Sequence, residues 1–183
     1  YFHTKPSTSY QRNFGLKKCN KKWILEIDAD ERVSKELRNE IICKIKENSC
    51  DWHLIRINNY LGKNIIKDGW GAYFGKSAYA GLFRNGIKQW GRQRVHPKIF
   101  LKGKKGKTLD NKLEHFYCKN ITDLFVKLDS YSSARAIDIS YNSSKENYFR
   151  NVRRIFSRFW KCFVLRKGYR EKKYGFLIAV VAF

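Results

Sequence analysis

The stretch Trp23–Arg32, WILEIDADER, constrains this chain more than any other. It is an apolar run that stops abruptly at acids. Asp28, Asp30 and Glu31 crowd four positions of a chain whose net charge is +23, with 39 Lys and Arg against 16 Asp and Glu. The run WILEI predicts a strand, and DADER ends it. Side chains alternate along an extended chain, so Asp28 and Asp30 lie on one side. Ser34 then caps a helix over SKELRNEIICKIKE, with Leu37, Ile41 and Ile45 spaced as its buried stripe. Strand, acids, helix is the order of an α/β unit, and open α/β sheets bind ligands at the carboxyl ends of their strands. Two hard oxygen donors there suit Mg2+ or Mn2+, which often takes its other ligands from phosphates and water. The alternative is an acid-rich helix N-terminus that complements the helix dipole and does nothing else.

The basic excess excludes little but favours an anionic partner: nucleic acid, an acidic membrane surface or a phosphorylated small molecule. With 43% hydrophobic residues the chain can bury a core, so it is no disordered tail. Five cysteines without a CxxC spacing predict reduced, buried thiols in a cytosolic compartment rather than a zinc site. The opening YFHTKPSTSY does not read as a signal peptide, and none is expected. Met is absent altogether, which leads us to expect a piece of a longer product.

Along the chain, QRNFGLKKCNK is a helix candidate with Phe14, Leu16 and Cys19 facing inward. DWHLIRINNYLG, GLFRNG, RVHPKIFLKG and KLEHFYC read as strands. The glycine-rich, aromatic stretch 62–81 reads as a long loop. A helix is predicted from Asn120, then a polar linker SYNSSKEN. His53 sits within a strand and reads as a packed residue. The closing FLIAVVAF is too short for a membrane span, which needs roughly 20 apolar residues. It reads as the start of either a membrane-embedded or a core helix.

These segments, taken in order, resemble family 2 glycosyltransferases, and especially the WaaE-like branch that adds sugars to the lipopolysaccharide core. The similarity lies in QRN-x-GL, WILEIDADERVSKELRNEI, LIRINNYLGKNIIKDGW, LFR, RVHPKI, KLEHFYC, KLDSYSSARA and FVLRKGYREKKYGF, which cover nearly the whole chain. The resemblance implies a partial GT-A domain over residues 1–145, an α/β fold with a Rossmann-like, mostly parallel mixed sheet lacking its first βα units. A basic amphipathic helical segment, 146–183, would follow. The activity implied is transfer of a sugar from a nucleotide donor, UDP-linked, to a lipopolysaccharide or lipid-linked acceptor, with inversion. By the same resemblance Asp28 and Asp30 would hold the divalent ion and the diphosphate, with Asp30 the stronger candidate. Arg12 and Asn13 would sit beside the donor. The chain departs from the family pattern at Gly81, where an Arg usually stands, and at Pro97, where a Glu often serves as base. Asp68 and Glu114 are the nearest acids that could take that role. His96 and His115 could bind the metal or diphosphate, or be hydrogen-bonded structural residues. Trp70 could stack on a sugar ring or pack in a core. With the first units missing, the chain alone is expected to turn over weakly or not at all, and an inactive remnant is a further reading.

Residues 149–175 alternate Arg and Lys with Phe and Trp. An amphipathic helix on an anionic membrane fits this mixture best. It would make the protein peripheral on the cytoplasmic face of a bacterial inner membrane. A nucleic-acid-binding module is the rival, and a solvated helix with an aromatic core face is the third reading.

Overall fold

The computed structural model describes residues 8–69, 78–91, 98–141 and 147–181. Five α-helices and eight strands are assigned among them: α1 (Thr8–Lys18), β1 (Trp23–Leu25), β2 (Glu31–Arg32), α2 (Lys35–Glu47), β3 (Trp52–Leu61), β4 (Asn64–Ile66), β5 (Ala78–Arg84), β6 (Lys88–Trp90), β7 (Ile99–Leu101), β8 (Lys112–Cys118), α3 (Ile121–Tyr141), α4 (Tyr148–Trp160) and α5 (Lys172–Val181). A π-helical turn, Lys161–Leu165, and a 3-10 turn, Gly168–Glu171, lie between α4 and α5.

The fold is α/β, as expected. The main sheet runs in the order β1-β5-β3-β8-β2, with β4 added to β3, and β6 and β7 form a separate ribbon. The pairings of β1 with β5, β5 with β3, β3 with β4 and β6 with β7 are all antiparallel. Mostly parallel pairing, implied by the family resemblance, is not what these strands make. Short connections join β3 to β4 and β6 to β7, and short connections return a strand antiparallel, whereas β5 reaches β1 and β3 from farther along the chain. The turn from β3 to β4 is one such case: Gly62 takes φ +60° there and donates its N–H to the Cys118 carbonyl at 2.7 Å.

The chain divides into two compact units, each assembled from two separate stretches. The first combines residues 1–56 with 78–113, and the second combines 57–77 with 114–183. In the first unit, α2 forms where its cap and stripe predict. The Ser34 hydroxyl accepts the Leu37 N–H at 3.2 Å, and Leu37 and Ile41 are buried. Ile55, Leu82, Phe83, Leu109 and Leu113 are buried as well. His53 is packed as expected, its Nδ1 2.9 Å from the Lys107 carbonyl oxygen.

Helix α1 forms but is rotated from the expectation. Phe14 is 54% exposed and Cys19 is exposed, while Ser9, Arg12, Asn13 and Leu16 turn inward. That set has the i, i+3, i+4, i+7 spacing of one helix face. It is a mostly polar face, because it meets acids and backbone rather than an apolar core.

In the second unit, Leu61, Ile66, Cys118, Leu124, Cys162, Ile178 and Ala179 form one buried cluster. The apolar C-terminal stretch is therefore core: Ile178 is 4% exposed and Ala179 0%. Among the described residues, no helix is long and apolar enough to cross a membrane. All five thiols are free, but only Cys118 and Cys162 are buried; Cys19 and Cys43 are exposed, contrary to the expectation of buried thiols throughout.

Candidate active site

Two acids of WILEIDADER, Glu26 and Asp28, meet the cations Arg12 and Lys88 in the first unit. Strand β1 ends at Leu25, and alternation carries Ile24, Glu26 and Asp28 to one side. From α1, Arg12 reaches across with its guanidinium. Its Nη2 donates to both carboxylate oxygens of Asp28, at 2.7 and 2.9 Å, and its Nη1 donates to Glu26 at 2.9 Å. The guanidinium also lies 4.6 Å from the ring centre of Trp90. A planar fork held on two carboxylates and an aromatic face has little freedom left.

Glu26 is the hub. Its second oxygen accepts from the Trp90 indole N–H at 3.3 Å and pairs with Lys88 Nζ at 3.0 Å. The Lys88 side chain is fully buried; it donates to the Ala80 carbonyl at 2.8 Å and lies 4.7 Å from the centre of the Phe83 ring. Asn13, one residue after Arg12, clamps the Trp90 backbone. Its amide donates to the Trp90 carbonyl at 2.8 Å and its oxygen accepts the Trp90 N–H at 2.9 Å.

The turn itself is fixed by Glu31. Its buried carboxylate accepts the Asp28 N–H at 2.7 Å and the Tyr79 hydroxyl at 3.1 Å. The Glu26 carbonyl, 2.7 Å from the same hydroxyl, shares that one hydrogen. Burial, then the neighbouring Glu31 carboxylate, raises the Tyr79 hydroxyl pKa far above its ordinary value. Arg32 donates to the carbonyls of Ala29 and Glu31, at 2.9 and 2.7 Å.

The three crowded acids thus have three different surroundings. Glu31 is a buried structural group. Asp28, its carboxylate 47% exposed, is held by Arg12. Asp30 is partly exposed in the turn between them. Among the described residues, no group of three His, Cys, Asp or Glu could by itself hold a metal ion. Those described residues make no closed protein cage. Asp28 and Asp30 are hard carboxylate donors just past a strand end, the type that an open divalent-cation site completes with phosphate and water, and both Asp28 oxygens accept from Arg12.

Of the sequence-predicted residues, Arg12, Asn13, Asp28 and Asp30 come together in the first unit, Asn13 through Trp90. Asp68, Glu114 and His115 fall in the second unit. The N–H groups of Lys67 and Asp68 donate to the Glu171 carboxylate at 2.7 and 2.9 Å. Glu114 lies 3.4 Å from the Tyr60 hydroxyl, whose pKa is raised by burial and by that carboxylate. His115 Nδ1 donates to the buried Asn59 side-chain oxygen at 2.7 Å. Glu114 and His115 are neighbours on β8, so their side chains leave opposite faces of the sheet and do not serve one site. Trp70 and His96 lie outside the described residues.

Sequence reasoning missed Glu26, Tyr79, Lys88 and Trp90. Glu26 had a signal, its i, i+2 alternation with Asp28. Lys88 had none, being one of 39 basic residues.

Comparison with known proteins gives the class: the homologues of this chain are named glycosyltransferases. Over 97% of its length it is 28% identical to an uncharacterised glycosyltransferase of Rickettsia felis, and 27% identical to one of Rickettsia conorii. It is 26% identical over 142 residues, 76% of the chain, to the lipopolysaccharide core biosynthesis glycosyltransferase LpsC of Rhizobium meliloti. The chain spans 66% of the length of each Rickettsia relative and 51% of LpsC. No family model matches it.

Proposed function

We propose that this chain is part of a metal-dependent, inverting glycosyltransferase of family 2 and GT-A fold. It moves a sugar from a nucleotide donor, UDP-linked, to a lipopolysaccharide or lipid-linked acceptor at the cytoplasmic face of the inner membrane. The observation that carries the reading is the arrangement of Arg12 and Asp28 at the end of β1, beside Asp30. The named relatives support the reaction class, and LpsC supports the acceptor.

In this reading Asp30, with Asp28 beside it, holds Mg2+ or Mn2+, which when bound offsets charge developing on the departing diphosphate. Arg12 supplies a second positive group of the kind that suits a diphosphate, and Glu26 and Trp90 keep it in place. Asn13 fixes the Trp90 backbone, so its part beside the donor is to hold that wall. Glu31 holds the turn that presents Asp28 and Asp30. An acid, Glu114 or Asp68, takes the acceptor hydroxyl proton. Trp70 and His96 are assigned to the sugar or acceptor side, and His115 joins them where Asp68 is the base, since Glu114 leaves the opposite face of β8.

The test is Asp30→Asn in the complete enzyme, with transfer from labelled UDP-sugars to lipopolysaccharide acceptor measured against added Mg2+ or Mn2+. Metal-dependent transfer should be abolished while the protein stays folded. An unchanged rate would sink the metal assignment.

A further inference from the structure

The apolar sector of α4 is wider than its own unit can bury. Phe159 stacks on Phe163 at 5.5 Å between ring centres, and Phe163 meets Phe176 edge-on at 6.0 Å, which accounts for one side of the sector. The other side faces out: Phe149 is 82% exposed, Phe156 70% and Trp160 58%. Their spacing of seven and then four residues puts them on one strip of the helix. Leu165, five residues after Trp160 and 66% exposed, would leave that strip in a regular α-helix. The π-helical turn returns it. The Arg166 N–H bonds the Lys161 carbonyl at 3.0 Å, an i to i+5 bond, and the wider turn sets Leu165 above Trp160. Arg153, Phe156, Trp160, Lys161 and Leu165 all line one open groove of about 690 Å3.

We infer that this strip is a docking surface for an anionic lipid bilayer. The inference deepens the membrane side of the proposed function and rests on it, but it is read out without any sugar transfer. Charge decides the occupant. Arg153 and Lys161 border the aromatic strip, so rings can enter the headgroup boundary while cations meet lipid phosphates. A second copy of the chain would oppose one +23 molecule with another and set these same cations against each other. Nucleic acid would use the cations and the rings, but the aliphatic, 66% exposed Leu165 in the same groove adds apolar surface that a bilayer takes up and a base does not.

The experiment is co-sedimentation of the full chain with phosphatidylcholine vesicles, with and without phosphatidylglycerol, over a range of salt. Binding is expected only with phosphatidylglycerol, weakening as salt rises. The variant Phe149→Ser/Phe156→Ser/Trp160→Ser and the variant Arg153→Glu/Lys161→Glu should each bind about tenfold more weakly. Far-UV circular dichroism checks folding, and Phe156→Ser alone replaces the triple change if that one unfolds. The inference is overturned by wild-type protein that stays in the supernatant, by an aromatic variant that pellets like wild type, or by a dimer that the aromatic variant dissolves. Because no donor is present, loss of vesicle binding leaves sugar transfer to be judged by the Asp30 variant.

Discussion

Lys88 and Lys107 show how little a residue's identity says about its energetics. Both are lysines paired with a carboxylate at about 3 Å, but Lys88 is fully buried and Lys107 is 73% exposed. The exposed pair is screened and loses side-chain entropy, so it contributes little. The buried pair has already lost its water, and removing one partner strands the other. Lys88→Met should therefore destabilise the protein by about 3 kcal/mol, the lower end of the usual range, because Glu26 keeps Arg12 and Trp90. Lys107→Ala should leave stability unchanged. Urea unfolding of the two variants side by side checks this, and equal midpoints would refute the buried role of Lys88.

Among the elements, β5 links the acidic turn to pH through Tyr79. The folded protein keeps this hydroxyl neutral above pH 10, where the unfolded chain begins to ionise it. A group whose pKa is raised on folding contributes its stability fully below its unfolded value and loses it as pH rises beyond. The protein should accordingly lose stability above about pH 10 through this residue. Tyr79→Phe should lower the melting temperature at pH 8, where the hydroxyl's shared hydrogen bond to Glu26 and Glu31 is lost, yet flatten the decline between pH 9 and 11. A decline as steep as that of wild type would show that Tyr79 does not govern it. Helix α2, by contrast, was readable from sequence down to its cap. Its determinants are local: one hydroxyl at Ser34 and apolar residues four apart. Helix α1 was readable as a helix but not in its rotation, because its inward face is chosen by acids fourteen and sixteen residues beyond Arg12 rather than by its own apolar residues.

At the scale of the whole molecule, distant stretches are joined through glycine. In the second unit, Gly69 takes φ +69° and a Cβ there would sit 3.0 Å from Gly168 Cα. A Cβ on Gly175 would sit 1.7 Å from the Gly168 carbonyl oxygen, closer than any contact allows. Together with the bond from the Gly69 N–H to the Arg166 carbonyl, these contacts tie residues 67–69 to the C-terminal turns. Gly175→Ala forces backbone apart and should cost about 3 kcal/mol. Gly15→Ala, with open space around it and a helical backbone, should be neutral or slightly stabilising. Thermal denaturation of both variants checks the contrast, and a stable Gly175→Ala protein would show that α5 can move away from the turn.

The sequence by itself determined the α/β class, α2 and its cap, the β8 strand, the position of the acids at a strand end, and the likeness to glycosyltransferases. Each of these rests on neighbours in the chain or on segment order, which periodicity and motif spacing express directly. Only the tertiary structure decided which carboxylate meets which cation, that Glu31 is a structural group, and that the apolar C-terminal stretch is core. It also decided that Glu114 and His115 look away from each other across the sheet. Those outcomes depend on desolvation and on partners far apart in the chain. A formal charge of +23 cannot say which one lysine has been stripped of water.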